Sequence, residues 1–218
     1  MQRVLKLMTL LRSASKRHLI LIAGLGFMTA ILLGWSQGNA TALEPGSPQV
    51  AMGSSWQGAS FPVENFQGYT SPFGYRQSPD GSSSQEFHRG LDMAAPDGSY
   101  IRSWWGGKVV EVTDNTACGT SIVIQSGEWE HIYCHMNGHV ATNGNGKYLS
   151  DRNGGLQIWE GQMIPAGARI GRVGMTGRTT GPHLHWGLKY SRQWVDPAMV
   201  LRAMYAEQTG SRSVSSRP

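Results

Sequence analysis

Three short motifs hold four of the seven histidines in this chain: His88-Arg89-Gly90-Leu91-Asp92, Tyr133-Cys134-His135-Met136 and Gly181-Pro182-His183-Leu184-His185. Alternate residues of a strand face one side, so His183 and His185 would point together, about 6.6 Å apart along the backbone. Two imidazoles at that spacing can enter one pocket, either as two metal ligands or as ligand and base. Taken alone, the pair fits two surface histidines on an open sheet face equally well. On a straight strand His88 and Asp92 would stand about 13 Å apart, too far to share an ion bonded at about 2 Å. The chain must bend between them, and Gly90 is where it can. In isolation, His-x-x-x-Asp is common by chance.

Sharing one site gives the motifs more meaning. His88, Asp92 and His185 would supply two neutral donors and one negative charge. Three protein ligands with a position left for water is the catalytic zinc arrangement, whereas four closed ligands would be structural. His135 and His183 would then stand beside the metal-bound water, where general acid–base catalysis needs them. Spacing by itself does not select this assembly.

The elements that must position these residues read as short strands between glycine-containing turns. Strands are expected over 108–113, 120–125, 129–135, 169–173 and 183–190, each short and carrying β-branched or aromatic residues. The second and third would form a hairpin across Ser126-Gly127-Glu128. Residues 197–205 are the one fair helix, after the start signal Asp196-Pro197. Residues 142–159, with Asn143-Gly144-Asn145-Gly146 and Asn153-Gly154-Gly155, read as a long exposed loop. The 29 glycines and 15% charged residues suit a turn-rich β protein. The expected fold is all-β, a single antiparallel sheet core in one domain over 61–205. Residues 43–60 read as a linker and 206–218 as a disordered tail.

The formal charge of +5 invites a nucleic-acid reading that its distribution removes. Five of 19 basic side chains lie in residues 1–42, which hold no acid, leaving 14 bases against 14 acids. A phosphate-binding domain would show a basic surplus or stripe. The first 42 residues run from a basic stretch ending at Lys16-Arg17-His18, through an apolar run from Leu19 to Trp35, to Ala40-Thr41-Ala42. That order matches a secretory signal peptide cleaved after Ala42. The alternative is an uncleaved anchor, although 17 residues span roughly 25 Å, short of the about 30 Å hydrocarbon core. Either outcome exports the remainder, with the membrane touched only through an uncleaved N-terminal segment.

Cys118 and Cys134 each lie eight residues from Ser126 in the expected hairpin and would stand nearly opposite one another. Export permits a disulfide; two unpaired thiols are the other reading. His131 and Tyr133 share strand parity with His135 and are read as sheet-face and packing residues, with an approach to the groove left open. His139 is read as surface. Trp104, Trp105 and Trp186 fit buried aromatics or a stacking surface. Arg89 and Arg178 fit solvated side chains or attractors of acidic peptides.

From Tyr69 to Leu201 the chain resembles the lysostaphin-type, or LytM-like, zinc endopeptidases. The resemblance rests on the three motifs in order and on Ser71-Pro72-Phe73-Gly74-Tyr75-Arg76, Ala95-Pro96-Asp97-Gly98, Gly107-Lys108-Val109, Gly161-Gln162, Gly167-Ala168-Arg169-Ile170-Gly171 and Thr176-Gly177. It implies an antiparallel β core with a substrate groove whose floor carries Zn2+ on His88, Asp92 and His185. His135 and His183 fall on the catalytic positions. It further implies hydrolysis of peptide cross-links in bacterial peptidoglycan, outside the cytoplasmic membrane in the periplasm or cell wall, by a protein expected to be a monomer. Some relatives have lost ligands and only activate other wall hydrolases; here every ligand position is filled. The rival readings are a non-enzymatic wall-binding or hydrolase-activating module and a structural zinc protein. The cysteine pair and the insertion over 142–159 depart from the family's usual pattern.

Overall fold

Strand-forming runs broken by glycine turns give fifteen strands and one α-helix in the computed structural model, which describes residues 56–79 and 82–215. The leader of residues 1–42 and residues 43–55 lie outside the described residues. In chain order the strands begin with β1 (Gly68–Ser71), β2 (Gly74–Gln77), β3 (Gln85–His88), β4 (Leu91–Ala94) and β5 (Tyr100–Arg102). The next are β6 (Gly107–Thr113), β7 (Ser121–Ser126), β8 (Trp129–Cys134), β9 (His139–Asn143) and β10 (Gly146–Asp151). The last are β11 (Leu156–Trp159), β12 (Met163–Ile164), β13 (Arg169–Arg172), β14 (His183–Tyr190) and β15 (Gln193–Val195). Helix α1 spans Pro197–Ser215.

Eight strands form the main antiparallel sheet, in the order β1-β4-β14-β8-β7-β6-β12, with β15 on the far half of β14. Strand β14 lies inside it, between β4 and β8, and alternation along it sorts the two faces. Leu184, Trp186 and Leu188 are fully buried in the core, while His183 and His185 face the groove. Trp104, Trp186, Tyr133, Ile122 and Ile124 form the most deeply buried part of that core. Burying each large apolar side chain stabilises the fold by about 1.5–3 kcal/mol.

Three expectations change in the structure. Residues 142–159 are not one loop: β9, β10 and β11 form a three-stranded antiparallel sheet, and Leu149 and Ile158 enter the core. Gly144-Asn145 is a two-residue hairpin turn between Asn143 and Gly146, the chemistry that Asn and Gly favour. The β7–β8 hairpin closes on Gly127-Glu128 alone, because Ser126 pairs with Trp129. Cys118 therefore precedes β7, yet it is disulfide-bonded to Cys134, with Cα atoms 5.0 Å apart. The loop reaches β8 through His135 N–H, which donates to the Cys118 carbonyl at 2.8 Å.

The third change concerns α1. Its start follows the sequence signal: Asp196 caps it, accepting from Ala198 N–H at 2.9 Å, and Pro197 is its first residue. It continues past Tyr205 into the stretch read as tail. Gln208 donates to the carbonyls of Trp56 and Ala59 at 2.8 and 2.9 Å, and Glu207 accepts from Trp56 N–H at 2.9 Å. Those bonds hold a 3-10 turn at Trp56–Gly58, so the end of the expected linker belongs to the fold.

Candidate active site

Strand register brings the motif residues together. His185 on β14 pairs directly with Asp92 on β4, and His183 with Ala94. His88 ends β3, and Arg89-Gly90 turns the chain into β4. Gly90 serves there for space as well as for the bend: a Cβ on it would lie 2.5 Å from His185 Cε1 and 2.9 Å from the Trp186 carbonyl oxygen. His135 follows β8 with a φ of 59°, a left-handed conformation that a histidine adopts at a cost. That φ breaks the strand alternation. His131 and Tyr133, of the same parity, face the core, whereas His135 lines the groove.

Three donor atoms form a small triangle. His88 Nε2 lies 3.0 Å from Asp92 Oδ1 and 2.9 Å from His185 Nδ1, and His185 Nδ1 lies 2.8 Å from Asp92 Oδ1. Among the described residues this is the one group of three side chains placed to hold a metal ion. The point equidistant from the three atoms is about 1.7 Å from each, inside the about 2.0–2.2 Å length of zinc bonds. One ion can therefore touch all three.

Proton positions support a cation. His88 Nδ1–H donates to the Pro72 carbonyl at 2.7 Å, which leaves Nε2 bare in the neutral ring. Burial works against the Asp92 charge, but its close polar contacts with the rings of His183, His185 and His88 outweigh it and hold the carboxyl well below the usual carboxylate range. Burial also lowers the pKa of His185, despite the opposing effect of Asp92. With neutral imidazoles, at most one proton is shared among three acceptor atoms; a divalent ion satisfies all of them.

The other two histidines stand alongside. His183 Nε2 is 3.5 Å from Asp92 Oδ1, and the ring centroids of His135 and His183 are 4.8 Å apart. His135 Nδ1–H donates to the Thr176 carbonyl at 2.8 Å and His183 Nδ1–H to the Gly181 carbonyl at 2.9 Å. In its neutral form each ring then carries its lone pair on Nε2. Burial pushes the pKa of His135 down to about 4, against the pull of the Thr176 carbonyl. For His183 burial acts in the same direction, but Asp92 and Gly181 outweigh it and its pKa is raised. A cavity of about 720 Å³ opens over these side chains, with Arg76, Glu86, Arg89, Cys118, Arg178 and Thr179 on its walls.

Sequence reasoning gave no role to Arg76 or Glu86. Arg76 Nη1 donates to Asp92 Oδ2 at 3.1 Å and also to Ser71 Oγ, fixing the carboxylate so that Oδ1 faces the histidines. Glu86 holds Arg76 from the paired strand, at 3.0 Å from Nη2. Opposite charges on a short hairpin were the available signal. Arg178, expected to be solvated, pairs with the other oxygen of Glu86 at 2.7 Å. His139 is exposed on β9, as expected. His131 lies outside the groove, fully buried.

The sequence model of Peptidase family M23 matches residues 86–150 and 147–197. A DD-carboxypeptidase/endopeptidase, Mpg, from Neisseria meningitidis serogroup B is 31% identical over 132 residues, covering 60% of this chain and 26% of that protein. Peptidoglycan DD-endopeptidase ShyB of Vibrio cholerae serotype O1 is 31% identical over 130 residues, 59% of this chain and 25% of that protein. This chain thus spans about a quarter of the length of these curated relatives. Among solved structures, a zinc containing peptidase from Vibrio cholerae has a TM-score of 0.48 at 28% identity, covering 62% of this chain and 37% of that one. The catalytic domain of lysostaphin from Staphylococcus simulans has a TM-score of 0.49 at 21% identity, covering 63% of this chain and 93% of that one.

Proposed function

This chain belongs to peptidase family M23, and from that premise we propose that it is an exported zinc endopeptidase that hydrolyses peptide bonds of bacterial peptidoglycan. His88, Asp92 and His185 hold the metal, and His135 and His183 are the catalytic residues. The observation that carries the reading is the triangle of donor atoms, 2.8–3.0 Å on each side, beside two further imidazoles. Three protein ligands with room for water argue against a closed structural site.

When bound, zinc supplies a Lewis acid and a water that loses its proton near neutral pH. The chain's own residues do the rest. His88 and His185 present ring nitrogens, and Asp92 one carboxylate oxygen whose partner is tied to Arg76. The carbonyls of Thr176 and Gly181 fix the tautomers of His135 and His183, leaving Nε2 of each able to take a proton from water. Burial keeps His135 neutral, so it is in the base form at neutral pH. One ring takes the proton, and the pair can then stabilise the developing oxyanion or protonate the leaving amine.

Peptidoglycan is named as the substrate of ShyB, and both curated relatives carry DD names. A bond between two D-centres is therefore the first to test. The N-terminal 42 residues would supply export to the cell envelope. The experiment is digestion of purified peptidoglycan with and without chelator, with released fragments identified by mass spectrometry. Chelator-sensitive release of cross-link peptides is expected. Zinc-saturated protein that releases nothing would refute the enzyme and favour the binding module.

A further inference from the structure

The groove carries one ion pair that the reaction does not use. Arg178, on the loop before β14, reaches Glu86 on β3, and both side chains line the cavity above the metal-binding triangle. The backbone of Arg178 is fixed. Its N–H donates to the Ala117 carbonyl at 2.8 Å, and Thr176 Oγ1 accepts from Thr120 N–H at 2.8 Å while donating to the Met136 carbonyl at 2.9 Å. Gly177 and Gly119, on the loops before β14 and β7, pack so closely that a Cβ on either would collide with the backbone of the other loop. The side chain, in contrast, is 56% exposed. It is an exposed cation on a fixed backbone.

The two arginines hold Glu86 unequally. Oε1 receives two bonds from Arg76, at 3.2 and 3.0 Å, whereas Oε2 receives the Arg178 bond at 2.7 Å. If Arg178 let go, Glu86 would remain anchored and so would the carboxylate of Asp92 behind Arg76. An ion pair this exposed adds little to stability, so another carboxylate can replace it at little cost. A guanidinium can take such a ligand through two parallel bonds. The series Arg178–Glu86–Arg76–Asp92 consists of three direct contacts, and all four side chains line the same cavity as His88 and His185.

We infer that Arg178 is a specificity residue that binds a free carboxylate of the substrate peptide near the bond to be cut, and that Glu86 occupies it in the free protein. The inference rests on the endopeptidase reading for its substrate, but its test does not require turnover. The probe is N-acetyl-D-alanyl-D-alanine against its C-terminal amide, titrated by nuclear magnetic resonance into metal-stripped protein.

Wild type should bind the acid about fivefold more tightly than the amide, the difference that about 1 kcal/mol makes. Arg178→Gln should bring the two ligands within about twofold while leaving amide binding unchanged. Glu86→Gln should tighten acid binding about two- to fivefold relative to the amide, because the internal competitor is gone. Arg178→Lys, which keeps charge without the fork, should fall between wild type and Arg178→Gln, and it stands in should the Gln variant melt early. Equal affinity of wild type for the two ligands, including no detectable binding of either, overturns the proposal. So does an equal loss of both ligands in Arg178→Gln, or weaker acid binding in Glu86→Gln. Zinc-loaded protein that leaves peptidoglycan intact while the binding pattern holds would defeat the endopeptidase reading alone.

Discussion

His183 and His185 are two residues apart on one strand, yet the structure gives them different surroundings and so different expected losses. His185 Nδ1 belongs to the donor triangle, whereas His183 approaches only Asp92, at 3.5 Å. His185→Ala should lose stoichiometric zinc and activity together. His183→Ala should keep zinc while turnover falls by about 10²-fold or more, the usual contribution of an acid–base residue. Metal content by plasma emission beside peptidoglycan release checks both; full zinc in His185→Ala would disprove the ligand assignment. Gly90 supplies the second test at this scale. Its substitution by Ala drives a methyl into the His185 ring and the Trp186 carbonyl, and only the ring can yield. Zinc affinity should fall about 10–100-fold, as when a ligand's outer support is lost, and competition with a chromophoric chelator would read it. The three residues of the donor triangle were legible as candidates because metal chemistry restricts residue type. The proton acceptors that set each tautomer were not, since Pro72, Thr176 and Gly181 act through backbone carbonyls, which leave no mark on side-chain identity.

Along β8, parity explains more than composition does. His131 is fully buried in a chain of hydrogen bonds with one consistent direction. Trp104 N–H donates to Tyr133 Oη at 2.7 Å, Tyr133 O–H to His131 Nδ1 at 2.9 Å, His131 Nε2–H to Ser126 Oγ at 2.7 Å, and Ser126 to the Gly106 carbonyl at 2.7 Å. A second proton on His131 has no acceptor there, and burial pushes its pKa down to about 3. The unfolded ring takes a proton near pH 6.5. Stability from the neutral ring is therefore complete above about pH 6.5 and lost progressively as pH falls towards 3, at about 1.4 kcal/mol per unit. Urea unfolding of metal-stripped protein between pH 7 and 4 should be steeper in pH for wild type than for His131→Gln by about one proton's worth. Parallel slopes would remove His131 from the account. Four strands of this sheet, β6, β7, β8 and β14, were readable because β-branched and aromatic residues alternate in them, whereas the short β1, β4, β12 and β15 were not. The β9–β10–β11 sheet was not, because its strands are polar and lean on few core residues, chiefly Leu149 and Ile158. Its Asn-Gly turns were visible, but without an apolar period beside them they suggested a loop.

At the scale of the molecule, the two ends of the described chain meet. The ring of Trp56 lies 5.2 Å from Trp104 and 5.6 Å from Trp129, and Trp104 lies 5.7 Å from Trp186 on the strand that carries His185. The second half of α1 fastens this arrangement through Glu207 and Gln208, a contact between residues about 150 positions apart that local periodicity cannot reveal. Ending the chain after Tyr205 would remove three hydrogen bonds, each worth about 1 kcal/mol, and release Trp56 towards water. Unfolding free energy in urea should fall by about 2–3 kcal/mol, with a red shift of tryptophan emission. Gln208→Ala alone, which loses two of the three, should fall by about 1–2 kcal/mol. None of these residues lines the groove, so zinc affinity of the folded truncated protein should match wild type. Unchanged stability after truncation would mean that residues 206–215 add nothing to the fold. A loss of zinc affinity at full stability would mean instead that the aromatic stack transmits the helix's position to β14.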